Sequence, residues 1–99
     1  MAVVEISVVP LGTTGTGLSA YVAGCVKLLA GAVDVKYQLT PMGTIIEGDL
    51  DRVLELVRQM HEQPFNSGVA RVLTTIRIDD RRDQPLTMAG KVAAVQEKL

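Results

Sequence analysis

The sequence has 99 residues, ten basic against eleven acidic side chains, and a formal net charge of −1. Hydrophobic residues make up 47% of the chain and aromatic residues only 3%. This length fits one domain over residues 1–99, and the balanced charge argues against nucleic acid and against anionic membranes as partners. No apolar run reaches the ~20 residues of a membrane-spanning helix, and the start lacks the basic region of a secretory signal. We therefore expect a globular cytoplasmic protein.

The scarcity of cysteine and histidine limits the chemistry that one chain can carry. Cys25 and His61 are the sole residues of their types. A disulfide framework needs several cysteines, and a zinc site needs three or four ligands. No third group that would orient a Cys–His pair is evident. We expect no metal, no cofactor and no enzymatic activity.

The first third of the chain predicts a strand followed by a helix. Residues 2–11 are rich in β-branched side chains, with even positions facing one way and odd positions the other. Residues 18–30 carry an apolar stripe at helical spacing, and Gly31 suits the end of that helix. The loop Gly12–Gly17 (GTTGTG) lies between them, where backbone N–H groups can bind a phosphate. It matches neither the dinucleotide fingerprint nor the P-loop, so anion binding there stays open.

The middle of the chain predicts a β-hairpin. Its strands cover 34–40 and 44–48, and Pro41 favours a tight turn between them. Gly43 is expected to take the left-handed conformation in a three-residue loop. Two cross-strand pairs follow from this register: Thr40 with Thr44, and Gln38 with Ile46.

The remainder predicts a helix, a strand and a final helix. Asp49 is a suitable N-cap for the second helix, and the turn Asn66–Gly68 leads into a strand at 69–79. A charged loop follows at Asp79–Gln84, and Thr87 caps the last helix. The order is therefore βαββαβ plus a C-terminal helix, which predicts an α+β, ferredoxin-like antiparallel sheet with two helices on one face.

The sheet face away from those two helices carries apolar side chains as well. We expect Val3, Val9, Ile46 and Leu73 on it. Such a patch is typical of a partner surface, so we expect a homo-oligomer with ligand positions where protomers meet. RNA-recognition domains share this element order but stack bases on aromatic residues of the central strands. The central strands here have none.

Polar side chains gather on the hairpin. Gln38, Thr40 and Thr44 are expected together on the face away from the helices, where amide and hydroxyl groups can hydrogen-bond a heterocycle. Glu47 stands among apolar neighbours, where a carboxylate needs a partner. An ordinary ion pair of Glu47 with Lys or Arg is the alternative to a ligand-binding role.

Seven sequence strings, in order along nearly the whole chain, together resemble one known family. They are ISVVPLG (6–12), LSAYV (18–22), YQLTPMGT (37–44), IEGD (46–49), GVARV (68–72), IDDRRD (78–83) and MAGKV (88–92). The family is that of the small, YkoF-related thiamine-binding proteins. The resemblance implies a ferredoxin-like fold assembled into homodimers or homotetramers through its sheets. It also implies non-catalytic binding of thiamine or of its hydroxymethylpyrimidine moiety.

Within the matched strings we expect seven ligand-binding residues. Ser19, Gln38, Thr40 and Thr44 offer hydrogen bonds to the pyrimidine, Glu47 offers a counter-charge to the thiazolium, and Tyr37 and Met42 offer surfaces for a ring. The alternative function is a regulatory or assembly domain similar to ACT domains, which would bind another small metabolite between protomers.

Overall fold

The computed structural model describes residues 1–13, 15 and 17–99. The elements are β1 (Ala2–Leu11), α1 (Ser19–Ala30), β2 (Lys36–Thr40), β3 (Gly43–Gly48), α2 (Leu50–Glu62), a 3-10 turn (Phe65–Ser67), β4 (Arg71–Asp80) and α3 (Met88–Gln96). The predicted order βαββαβ plus a C-terminal helix is confirmed. The predicted loop Gly12–Gly17 includes Thr14 and Thr16, which lie outside the described residues.

The strands form one antiparallel sheet in the order β2-β3-β1-β4. This order, with β1 and β3 in the centre, is that of an α+β ferredoxin-like fold, as the sequence predicts. β4 pairs with all ten residues of β1, whereas β3 pairs with Ala2–Ile6 alone. Among the described residues no helix is long and apolar enough to cross a membrane.

The core lies between the sheet and the helices α1 and α2. The even positions of β1 face the core, as the alternation predicts. One of them, Val4, lies opposite Ile46 of the neighbouring strand β3. Each fully buried aliphatic side chain contributes about 1.5–3 kcal/mol to stability. The buried members are Ala2, Val4, Ile6, Cys25, Leu29, Ile46, Val53, Leu56, Val57 and Met60.

Side-chain caps define where two of the helices begin. The Asp49 carboxylate accepts the N–H of Arg52 at the start of α2, and the Thr87 hydroxyl accepts the N–H of Gly90 at the start of α3. Both predicted caps are confirmed. Helix α1 begins at Ser19, one residue later than predicted, and its N-cap Leu18 offers no side-chain hydrogen bond.

The predicted hairpin register is wrong by one residue. Thr40 lies opposite Gly43, not Thr44, and the turn has two residues, Pro41 and Met42. The Thr40 hydroxyl donates to the Gly43 carbonyl at 2.8 Å and accepts from the Met42 N–H, which closes the turn. Gly43 does not adopt a positive φ. Instead it lets two backbones approach, since a Cβ there would lie 3.0 Å from the carbonyl oxygen of Ile6.

This shift moves side chains to the opposite face of the sheet. Thr44 lies opposite Ile6 and therefore faces the helices, whereas Gln38 lies opposite Ile45 on the other face. The prediction that Gln38 and Thr44 share a face is wrong, as is the placement of Ile46 away from the helices. The side-chain period along a strand is two, so a slip of one residue moves every side chain of β3 to the opposite face.

Helix α3 begins on the sheet face opposite to α1 and α2. The carboxylate Oε1 of Glu47 accepts the backbone N–H of Met88 at 2.7 Å, and Lys91 pairs with Asp79 of β4. Leu86, just before the helix, is buried, whereas the apolar Val92 and Val95 further along are more than half exposed. The first turn of α3 is thus held to the sheet, and its later turns leave apolar surface in solvent.

Replacement of Gly48 by alanine is expected to destabilise the fold. A Cβ at Gly48 would lie 2.8 Å from Cγ1 of Val35 and 3.3 Å from Cγ2 of Val53. Overpacking of this kind costs about 1–3 kcal/mol, to be measured by urea unfolding. Gly31→Ala is the control, because its Cβ would meet only the Leu28 carbonyl oxygen at 3.9 Å. Equal stability of the two variants would contradict the tight packing around Gly48.

Candidate ligand-binding cavity

A cavity of about 330 Å³ opens beside the turn of the hairpin. It lies between the C-terminal half of β1, the first half of α1 and the β2–β3 turn. This volume is within the ~300–1,000 Å³ typical of small-molecule sites. Its lining residues are Ile6, Ser7, Val8, Val9, Leu18, Val22, Cys25, Leu39, Thr40, Pro41, Met42, Gly43, Thr44 and Met60.

The cavity exists because β1 is longer than β3. Past Ile6, β1 pairs with β4 on one side, and on its other side no strand of the described residues pairs with it. The close approach of Gly43 to the Ile6 carbonyl shows that this carbonyl points towards β3. Backbone polar groups along a strand alternate in direction, so the N–H and C=O of Val8 point to the same side, into the cavity. Pro10, next in this series, has no N–H to leave unpaired.

The floor of the cavity is apolar. Ile6, Cys25 and Met60 are buried there, and the Cys25 thiol donates a weak hydrogen bond to the Met60 carbonyl at 3.4 Å. Burial raises the pKa of the Cys25 thiol. A thiol held neutral in this way is a poor nucleophile, because the thiolate is the reactive form.

Thr44 is the polar side chain on the helix-facing wall. It is 4% exposed and lies opposite Ile6. Thr40 also lines the cavity, but its hydroxyl is already used in the turn. Met42 stands at the rim and is 85% exposed, so its flexible side chain is free to move over the opening.

The seven predicted site residues divide between two faces of the sheet. Thr40, Met42 and Thr44 line the cavity. Ser19 lines a neighbouring hollow on the outer side of α1 that shares Val22, Leu39 and Thr40 with the cavity. Tyr37 lies opposite Ile46 on the helix-facing side of β2, and it lines neither of these two spaces.

Gln38 and Glu47 lie on the opposite face, beside the start of α3. They line a separate hollow of about 560 Å³ together with Lys36 and Met88. Glu47 is 4% exposed, and its contact with the Met88 N–H satisfies a buried carboxylate oxygen. The sequence predicts either a ligand contact or a pairing with Lys or Arg for Glu47. The structure gives it a third partner, the backbone at the beginning of α3.

His61 lies on the side of α2 that contacts β4. Its Nδ1 is 2.7 Å from the Thr74 hydroxyl on β4, and its ring packs edge-on against Phe65 with 5.5 Å between centroids. These contacts join α2 to the outer strand. His61 does not line the cavity, so it is not placed as a base for Cys25. Among the residues that the structure describes, no group of three His, Cys, Asp or Glu side chains could hold a metal ion.

The polar backbone of Val8 is the feature that sequence reasoning misses. Its contribution comes from N–H and C=O groups that every residue except proline carries, so the residue type gives no signal. The one available signal is Pro10, which is disfavoured at a hydrogen-bonded position inside a sheet and therefore indicates that one edge of this strand is open.

Comparison with known proteins assigns the chain to a family. The model of a family described as thiamine-binding protein matches residues 4–96. The chain belongs to this family. A Bacillus subtilis relative, the UPF0045 protein YqgV, is 44% identical over all of this chain and 98% of its own length. Family membership supports a role in binding a small molecule.

Two solved structures resemble the fold. Hypothetical protein MJ1052 of Methanocaldococcus jannaschii is 35% identical with a TM-score of 0.89, over 97% of this chain and 96% of its own. A Thermotoga maritima protein, whose name connects it with thiamine biosynthesis or salvage, has a TM-score of 0.76 at 20% identity, over 95% and 97% of the two chains. At that identity the likeness concerns the fold alone.

The burial of Cys25 predicts slow reaction with thiol reagents. Because burial raises the pKa of the thiol above its ordinary value of 9.0, the thiolate forms only at higher pH in the folded protein. The labelling rate by a small disulfide reagent should therefore inflect above pH 9.0 in the native protein and near that value after unfolding in urea. An inflection below 9.0 in the folded state would contradict this assignment.

Proposed function

We propose that the protein binds thiamine, or its hydroxymethylpyrimidine moiety, in the cavity beside the hairpin turn, without converting it. The observation that carries the proposal is the open edge of β1. There Val8 presents a backbone donor and acceptor next to Thr44, in a chain that belongs to the thiamine-binding family. The proposal places the protein in the cytosol, where its free, buried Cys25 stays reduced.

An aminopyrimidine fits the hydrogen-bonding groups of this cavity. One edge of the ring carries an amino donor beside a ring-nitrogen acceptor. The C=O and N–H of Val8 form the complementary pair, much as a neighbouring strand would supply it. Thr44 adds a hydroxyl that both donates and accepts, and it suits the hydroxymethyl group or the second ring nitrogen.

The cavity favours the neutral part of thiamine. None of its described lining residues carries a carboxylate, and Glu47 lies on the other face with one oxygen bonded to Met88. A cationic thiazolium buried there would have no counter-charge, which is costly. We propose that the pyrimidine enters the cavity and that the thiazolium stays at the rim beside Met42.

The absence of conversion is part of the proposal. Cys25 brings a thiol to the cavity lining, and the raised pKa of this thiol keeps it protonated at neutral pH. His61 is engaged with Thr74 and does not line the cavity. Neither residue is placed or activated for nucleophilic or general-base catalysis.

Thr44→Val tests the position of the ligand. Loss of one neutral hydrogen bond, worth about 0.5–1.5 kcal/mol, should weaken hydroxymethylpyrimidine binding about three- to tenfold in calorimetry. Gln38→Ala is the control, since Gln38 lies on the opposite face of the sheet, and it should leave the affinity unchanged.

Two results would count against this position and this function. Weakened binding by Gln38→Ala with no effect of Thr44→Val would move the ligand to the hollow beside α3. No heat from thiamine or hydroxymethylpyrimidine at millimolar concentration would exclude both ligands and favour an ACT-like domain for another metabolite.

We further propose that the chain forms a homodimer or homotetramer through the sheet face that carries α3. Leu73 of β4 lies on this face and is 57% exposed. It is the cross-strand neighbour of Val9 on β1, which lies on the same face. Val92 and Val95 of α3 are exposed on the same side of the sheet. A second copy would remove these apolar side chains from water, which is the main source of association energy.

Leu73→Lys should prevent this assembly. The monomer mass is 10.6 kDa. Light scattering after size exclusion should give two or four times this mass for the original protein and the monomer mass for the variant. Val33→Lys, at a fully exposed position between α1 and β2, is the matched control and should keep the oligomer. A monomeric original protein at micromolar concentration would contradict the proposal.

A further inference from the structure

A second hollow, of about 510 Å³, lies at the end of the sheet where β1 leaves it and β4 enters. It has no lining residue in common with the cavity beside the hairpin turn. We call it the Arg71 hollow. Its lining residues are Leu11, Gly12, Thr13, Tyr21, Ser67, Gly68, Val69, Ala70 and Arg71.

Arg71 differs from the other arginines in its partners. Five of the six arginines form ion pairs with carboxylates, and within the described part of the chain Arg71 forms none. The paired side chains have clear effects on their partners: Arg82 and Arg81 lower the pKa values of Asp80 and Asp83 by hydrogen bonding. The guanidinium of Arg71 therefore keeps its full capacity for an anion.

The rest of the hollow suits a negative charge. None of its described lining residues is acidic, whereas Tyr21 and Ser67 bring hydroxyl groups. The Thr13 hydroxyl donates to the Gly15 carbonyl and remains able to accept. Tyr21 belongs to the first turn of α1, where the partial positive charge of the helix dipole lies, and no side chain of the described residues caps this end of the helix.

The backbone on one side of the hollow is already hydrogen-bonded. The N–H groups of Ser67, Gly68 and Val69 donate to the carbonyls of Pro64 and Phe65. On that side recognition depends on side chains, and among the described lining residues Arg71 is the one that carries a positive charge. A planar guanidinium binds two oxygens of a phosphate at once, which an ammonium group cannot do.

We propose that the Arg71 hollow binds a phosphate group, either as inorganic phosphate or as a phosphate monoester. Arg71 supplies the paired hydrogen bonds, and the hydroxyls of Tyr21 and Ser67, on the helix side of the hollow, are the further donors that its lining offers. The site is separate from the pyrimidine cavity, so a test of phosphate binding does not depend on the function proposed above.

Amide NMR shifts at constant ionic strength test this site. Inorganic phosphate and hydroxymethylpyrimidine phosphate are titrated separately against chloride, and the amides of Gly12, Ser67 and Gly68 report on the hollow. We expect saturable shifts at these amides, weakened about tenfold or more in Arg71→Gln, because a charged hydrogen-bonding partner is lost. Arg77→Gln, on the same strand and face and paired with Glu5, is the matched control and should behave as the original protein.

Each outcome bears on the proposal. Saturation by inorganic phosphate assigns the site to the free anion, and saturation by the ester alone at these three amides assigns it to esterified phosphate. Shifts that do not saturate, or that are the same in Arg71→Gln, overturn the proposal. Failure here would leave the Thr44→Val experiment unaffected, because that experiment uses the unphosphorylated pyrimidine.

Discussion

The unequal lengths of two neighbouring strands are the constraint on which the candidate site depends. β1 has ten residues and β3 has six, so the sheet is complete along one edge of β1 and interrupted along the other. The interruption leaves a strand edge facing the space between α1 and the hairpin turn. Because an open edge presents donor and acceptor groups at fixed spacing, the fold supplies polar backbone groups in a cavity whose described lining is mostly apolar.

The opposite face depends on a different interaction, the buried carboxylate of Glu47. Desolvation of a carboxylate is costly unless a donor compensates, and here the compensation is the first backbone N–H of α3, at the positive end of that helix. Glu47 thus connects the position of α3 to the central strand β3. Because this contact already engages the Glu47 carboxylate, the proposed function does not use it as a counter-charge for the ligand. The proposed function therefore assigns ligand binding to the face with the cavity and assembly to the face with the carboxylate.

Rules that depend on neighbours in sequence predict most of the fold. The hairpin register, which they do not predict, depends on a contact between residues distant in sequence. Alternation in β1 and the caps Asp49 and Thr87 are predicted correctly, because each depends on neighbours in sequence. The hairpin register is not, because Pro41 suits the first position of a type I turn, and with Gly43 available for the left-handed position the local rules favour a three-residue loop. What decides between them is the fit of Gly43 against the Ile6 carbonyl, a contact between strands distant in sequence. The slip separates Gln38 from Thr44, whereas Thr40 and Met42 line the cavity beside Thr44, so part of the predicted site survives as a cluster. Glu47 is three residues from Thr44 on the same strand, so it faces away from Thr44 in either register.

The scarcity of aromatic residues determines how such a cavity can hold a flat ring. Stacking is not available on walls made of Ile6, Leu18 and Met60, so the ring is held between aliphatic surfaces that contribute burial but little orientation. Orientation must then come from hydrogen bonds, and the backbone of Val8 is the more rigid source because β4 holds its strand in place. A donor and acceptor fixed in this way distinguish an aminopyrimidine from rings that lack the complementary edge. They are indifferent to the charge of a group outside the cavity, so under the proposed function the pyrimidine, and not the thiazolium, determines which ligand binds.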